Sequence, residues 1–403
     1  MEESIDGTGM TNIDPRDHGA LKKMLQARPV WDSNELAANA IGLDDSVILH
    51  AGPPFNSTNE IPEPVMNSAA VALVFEKHAD DFDTARAMIR SGEIRLQPAQ
   101  NHSTVVPLAG VVSASMWLHK IIDANDPNNV TYSPLNGGNG PAMRLGLCSE
   151  SALSHLRWIN QELIEAVDLC QDDHIDLLDI AKIALENDDD CHGRTIAATH
   201  ELVNRLKPAI DGYAEQKRFL NDSPSFALNH LMAASKCLML AADAQSGSGM
   251  VTAAGGNGVR TGIQVSNEPG NWITESAASP EGDLGEFPKS RALGAIGDSA
   301  VVDMIGFGAM AVAYSNPQRE MFGTYLPDDA DELPYKLLLS VHDAFSALEF
   351  RTGLSVRTVV AEKTTPIVSL GVIDREGIAG RLGGGIFRYP LSLFQSALDS
   401  IGR

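Results

Sequence analysis

The chain is poor in the features that mark secreted, membrane-bound or nucleic-acid-binding proteins. It has only four cysteines, Cys148, Cys170, Cys191 and Cys237, well separated and without a C-x-x-C pair. They are expected to be reduced thiols in a cytoplasmic protein. The N-terminal MEESIDGTGM is polar and acidic, unlike a secretory signal. The longest apolar stretch, from Phe226 to Ala244, carries Asn229, His230, Lys236 and Asp243. That pattern predicts a buried helix and excludes a membrane span. Basic residues are also scarce: 30 Lys and Arg against 53 Asp and Glu leave a net charge of −23. A surface so acidic does not neutralise a phosphate backbone, and an anionic membrane repels it, so neither nucleic acid nor membrane is an expected partner.

Several catalytic signatures are missing as well. No P-loop lysine or dinucleotide-binding glycine spacing is present. There is no G-x-S-x-G elbow for a serine nucleophile and no H-E-x-x-H pair for zinc. No repeat with a period of 20–50 residues is evident.

What remains is globular composition, 43% hydrophobic and 21% charged, in a chain too long for one ordinary core. The expected fold class is mixed α/β: two α/β lobes with a small inserted helical subdomain. Residues 1–18 read as a loose polar arm, 19–148 as an N-terminal α/β lobe, 149–222 as the helical subdomain and 223–403 as a C-terminal α/β lobe. A short helix is expected from Gly19 to Gln26. The run Val47-Ile48-Leu49 predicts a strand ending in the rigid His50–Pro54 loop. Helices follow near Pro64–Lys77 and Asp81–Ser91, the latter with Asp81 as N-cap and Gly92 just past its end. Ser223 and Pro224 read as the start of the long apolar helix, and Pro390 as the opening of a last one.

Three glycine-rich segments are candidate ligand loops. Gly297-Asp298-Ser299 precedes AVVDMIGFGAMAVA, which reads as an apolar helix. Free N–H groups at such a start bind phosphate or carboxylate, although Asp298 or Ser299 is also able to cap them. Gly255-Gly256-Asn257-Gly258 reads as a flexible loop that admits close backbone approach, or as an ordinary turn. Gly383-Gly384-Gly385 is the third. The cluster Asp188-Asp189-Asp190-Cys191-His192-x-Arg194 matches no zinc or calcium loop. It reads either as a solvated acidic helix end or as an anion site built on His192 and Arg194. His50 and His102 are acid/base candidates beside a structural reading of each. No cofactor is demanded; magnesium on the Asp188–Asp190 run stays open beside simple hydration.

Taken in order, several segments carry a resemblance. They are Val47–Pro54, Pro107–Met116, Met143-Arg144-Leu145-Gly146, Asp189…His192…Arg194, Leu228-Asn229…Met232-Ala233…Lys236, Asn257-Gly258 and Gly297-Asp298-Ser299. Between about Ala27 and Ala397 they run collinear with, and so resemble, the AllG (YlbE-like) family. The resemblance implies a bacterial protein of purine (allantoin) catabolism with two α/β lobes, working beside FdrA-like and AllH-like subunits. Such a set resembles an oxamate carbamoyltransferase, which interconverts oxalurate plus phosphate with oxamate plus carbamoyl phosphate. The chain departs from the family around Asn187–Thr195, at Gly256 where a cation precedes Asn-Gly, and at Asp374-Arg375 where a His-Lys pair is usual.

The leading reading is therefore a transferase subunit for a small ureide-type anion and phosphate. Arg144 and Arg194 would clamp the anion, and His192 or His50 would manage a proton. The backbone at Asn257-Gly258, Gly297–Ser299 and Gly384 would hold oxygens. A non-catalytic assembly or regulatory subunit and a stand-alone ureide amidohydrolase or lyase are the alternatives. Self-association is left open.

Overall fold

The computed structural model describes residues 13–168 and 174–402. Most of the expected arm, residues 1–12, and Cys170 lie outside the described residues. The first helix starts at Pro15, not Gly19, and runs to Gln26. Asp14 caps it by accepting from the Arg16 N–H, and Pro15 takes the first helical position, where its missing N–H costs nothing. Residues 15–18 are thus structured. Asp17 is buried and accepts from Ser248 Oγ, the Gly249 N–H, Ser355 Oγ and Arg357. One carboxylate ties the start of the described chain to two segments more than 200 positions away.

The fold is mixed α/β, with five sheets among the described residues. A four-stranded antiparallel sheet orders Asp126–Pro134, Trp117–Asp123, Pro29–Leu36 and Ile175–Asp176. A second four-stranded sheet orders Ile273–Ser276, Arg260–Val265, Val251–Asn257 and Ile296–Gly297. The third pairs Glu281–Asp283, Arg381–Arg388 and Ile367–Ile373. Among the described strands only Val47–His50 and Arg95–Pro98 pair in parallel. Leu338–Val341 and Arg351–Leu354 form a separate hairpin.

The helix Leu228–Ala241 is the hub. It is buried from Asn229 to Met239 and touches the first two sheets and the helices Pro15–Gln26, Leu177–Leu185 and Ala300–Met304. All-round burial explains why its sequence lacks an amphipathic stripe. Its one lysine, Lys236, donates to the Thr252 carbonyl at 2.7 Å, and burial pulls its pKa down to about 8. The helix begins four residues after Pro224. The Pro224 carbonyl instead accepts from the Thr195 and Thr199 hydroxyls, which hold Ser223–Ala227 as a turn.

Other local expectations are met. Helices run over Glu63–Phe75 and Phe82–Ser91, the second capped by Asp81 and closed by Gly92 at φ 80°. Pro390 precedes the last helix, Leu391–Ile401. The stretch after Ser299 departs from expectation. Its α-helix covers only Ala300–Met304, then Gly306 (φ 113°) and Gly308 (φ 60°) break it before a 3-10 turn. The buried Asp303 carboxylate causes the bend, because it accepts the Ala309 N–H and a Cβ on Gly308 would lie 2.2 Å from its oxygen. No described helix is long and apolar enough to cross a membrane, and Cys148, Cys191 and Cys237 are unbonded.

Candidate functional site

Two of the three glycine segments turn out to be structural. Residues 255–257 close the buried strand Val251–Asn257 rather than forming a flexible loop. The reason is close backbone packing: a Cβ on Gly52 would lie 2.3 Å from Gly256 C, and one on Gly256 would lie 2.2 Å from the Ala295 carbonyl. Asn257 spends its side chain on the Pro53 carbonyl and on the N–H groups of Val259 and Arg260. Gly258, at φ 86°, donates to the Ala295 carbonyl and rests against Leu293. Gly383–Gly385 lie within the strand Arg381–Arg388, not in a turn. Only Gly384 of the three faces the cleft described below.

Gly297-Asp298-Ser299 divides. Gly297 takes φ 121° against Leu108, and Asp298 points inward. Its carboxylate accepts from Gly52 N–H, Val106 N–H and Gln100 Nε2, so it clamps the His50–Pro54 loop to the rest of the molecule. Burial raises the Asp298 pKa to about 6. Ser299 alone reaches a cavity.

That cavity, of about 110 Å³, is walled by Pro107-Leu108, Arg144, His192-Gly193, Ser299, Gln318 and the strand pair at Ser369–Gly371 and Arg381–Gly384. It gathers Arg144, His192, Ser299 and Gly384 from segments far apart in sequence. Leu108 in its wall has φ 50°, and Asp188 and Cys191 in the loop carrying His192 have φ 62° and 66°. Left-handed backbone at non-glycine positions concentrates where surrounding contacts hold functional groups in place.

The cleft is cationic. Arg144 donates to the Gly138 carbonyl at 2.7 Å, and its Nε is buried without a partner. Burial, and then the neighbouring Arg381, lower its pKa to about 10. Arg381 donates to the Gly383 carbonyl from the rim; its surface is exposed, yet surrounding protein still lowers its pKa. Neither guanidinium feels a carboxylate among the described residues. Two adjacent unneutralised arginines in so acidic a protein call for an anion, and guanidinium matches carboxylate and phosphate geometry.

Beside them stands an Asp-backed histidine. His192 Nδ1 lies 2.6 Å from Asp303 Oδ2 and 3.1 Å from Ser369 Oγ. Asp303 is fully buried and also accepts the Ala309 and Ser369 N–H groups. Burial lowers the His192 pKa, but attraction to Asp303 overrides it and the net shift is upward. With Nδ1–H committed to Asp303, Nε2 is the nitrogen left to exchange a proton.

The other predicted site residues fall elsewhere. His50 is buried beside Phe55, with Nδ1 on the Ala51 carbonyl, and burial lowers its pKa to about 4. Arg194 Nε pairs with buried Asp189 at 3.3 Å, so its charge is already matched outside the cleft. His102 meets Gln97 Oε1 at 2.8 Å. Asp374 is clasped by Arg291 at 2.6 Å and caps the turn at Glu376–Ala379. That substitution within the family pattern therefore does not touch the cavity. Asp303, Ser369, Gln318 and Arg381 were not singled out from sequence. A lone carboxylate inside the apolar run at Asp303 was the available signal. Among the described residues no three His, Cys, Asp or Glu side chains converge as a metal site.

Fold and cleft together define a mixed α/β protein with an arginine-lined cleft whose histidine is oriented by a buried carboxylate. The chain belongs to the AllG family. The profile of that family, described as "Oxamate carbamoyltransferase subunit AllG", matches residues 94–299. The chain is 28% identical to the Escherichia coli K12 protein of that name, over 97% of this chain and 98% of the relative. It is 30% identical to the uncharacterized protein YahG of the same organism, over 94% and 84%. A crystal structure of a conserved protein of unknown function from Enterococcus faecalis V583 superposes with a TM-score of 0.91 at 26% identity, covering 98% of this chain and 99% of that one.

Proposed function

We propose that this chain is a subunit of a carbamoyltransferase of the oxamate type, and that the Arg144–His192–Arg381 cleft holds its small anionic substrates. The observation that carries the reading is the meeting of two carboxylate-free arginines with the Asp303-backed His192 in one cavity. The family name supports the complex, and FdrA-like and AllH-like chains are the proposed companions.

In the proposed reaction a phosphate oxygen attacks the terminal ureido carbonyl of oxalurate. The new O–C bond makes carbamoyl phosphate as the C–N bond to oxamate breaks. The proton lost by phosphate ends on the departing amide nitrogen, and His192 Nε2 is the proposed carrier. Arg144 and Arg381 balance the charge of carboxylate and phosphate, and positioning rather than a covalent nucleophile supplies most of the acceleration.

The test is phosphorolysis of oxalurate by the co-expressed complex. His192→Gln is expected to lower kcat by at least about a hundredfold, in the range of one proton-transfer group, with little change in KM. Arg144→Gln is expected to raise KM. Full activity in both variants contradicts the reading and favours an assembly role for this chain.

A further inference from the structure

We infer that the Ser369 hydroxyl is a ligand-binding group: it donates its proton to the anion in the cleft while its oxygen accepts the Nδ1–H of His192. The inference rests on the anion-cleft reading above and adds to it a neutral, directional donor that touches both the ligand and the Asp-backed ring.

Ser369 lies in the strand Ile367–Ile373, is only 3% exposed, and forms part of the cavity wall. Its Oγ stands 3.1 Å from His192 Nδ1, and among the described residues the hydroxyl has no other partner. The same Nδ1 stands 2.6 Å from Asp303 Oδ2. The other Asp303 oxygen accepts the Ala309 N–H and the N–H of Ser369 itself. A carboxylate with donors on both oxygens is the ionised, acceptor-only form. The hydrogen between it and His192 therefore sits on Nδ1, because a bare nitrogen would meet Oδ2 lone pair to lone pair.

A protonated Nδ1 cannot accept a hydrogen bond from Ser369. The hydroxyl oxygen serves it instead as a second, longer acceptor, and the Ser369 proton is left over. The backbone N–H of Ser369 is fixed on Asp303, so the residue is held in place while its O–H bond still rotates. No Asp or Glu side chain lines the cavity, and Arg144 and Arg381 bring positive charge to it. A bound oxyanion supplies the acceptor that the protein does not. The Nδ1–H bond to Oγ also polarises the hydroxyl, which makes it a stronger donor in a water-poor cleft.

Calorimetric titration of inorganic phosphate into the full chain near pH 7.5 tests this with three substitutions. Ser369→Ala removes the hydroxyl, and Ser369→Cys keeps a group of similar size that donates poorly. Each is expected to weaken phosphate binding at least tenfold, the effect of losing one hydrogen bond to a charged group. Ser369→Thr keeps the hydroxyl at a strand position suited to a β-branched side chain, and should bind within about threefold of the parent. A serine that merely fills space predicts the reverse order, with Cys retaining affinity. If Ala or Cys fails to fold, the other decides. Parent-like affinity in Ala or Cys overturns the donor role while leaving the anion cleft standing. A loss in Thr as deep as that in Ala makes packing the cause and overturns it too. No phosphate binding by the parent protein overturns both readings.

Discussion

Asp303 shows how much one side chain decides here. It accepts from His192, Ala309 and Ser369 and has no exposed surface, so it sets both the path of the chain at Gly306–Gly308 and the state of the histidine. Asp303→Asn is expected to lower the His192 pKa, because burial is then opposed only by the weaker attraction of Asp190. The linkage follows. In the parent, His192 contributes stability that is complete below pH 6.5 and fades as pH rises through its raised folded value; the variant loses this. An NMR titration of the His192 ring checks it, and an unshifted curve contradicts it. At this scale the site was half legible. Arg144 could be named because it stands in a segment that carries the family resemblance, and His192 because an imidazole beside Arg194 is a ready anion ligand. Arg194 and Arg381 look alike in sequence, and only the fold shows that Asp189 neutralises the first and leaves the second open.

At the scale of elements, local rules worked where the cause was local. The helix Phe82–Ser91 starts at Asp81 and stops at Gly92 because both caps lie within its own segment. The strand Val251–Asn257 was invisible as a strand because its glycines answer to Gly52, about 200 positions away. The two kinds of glycine predict different costs. Gly52→Ala brings a Cβ against the Gly256 backbone at φ 75° and should cost about 3 kcal/mol or more. Gly92→Ala, at φ 80° with nothing nearby, should cost only about 1 kcal/mol. Urea denaturation separates these; equal losses would show that the Gly52–Gly256 contact carries no weight. Asp17 belongs to the same scale. Asp17→Ala leaves Ser248, Gly249, Ser355 and Arg357 without their shared acceptor and should cost about 3–5 kcal/mol.

Over the whole molecule, charge is distributed with a purpose that composition alone conceals. The net charge is −23, yet the cleft keeps two arginines that no described carboxylate neutralises. Buried imidazoles set the response to acid. Burial depresses His50 to about 4, His230 to about 3 and His342 to about 4, and His119, whose ring centre lies 3.9 Å from that of His230, falls with them. Their contribution to stability is complete above pH 6.5 and is lost as pH falls through 4 to 3. Asp190 and Asp298, raised to about 6, act oppositely, with a contribution complete below pH 3.8 and lost as pH rises through 6. Asp189, Asp243 and His192 are raised as well, but the depressed imidazoles titrate over the wider pH span, so the urea midpoint should fall between pH 7 and pH 4.5. A flat or rising midpoint would contradict that balance.

The anion cleft itself is tested most directly by calorimetric titration of inorganic phosphate and oxamate into the parent protein and into Arg381→Gln, whose rim position spares the core. The account predicts saturable binding to the parent, at least tenfold weaker binding to the variant, and an unchanged melting temperature. Binding of equal strength in both proteins, or none in the parent, would contradict it.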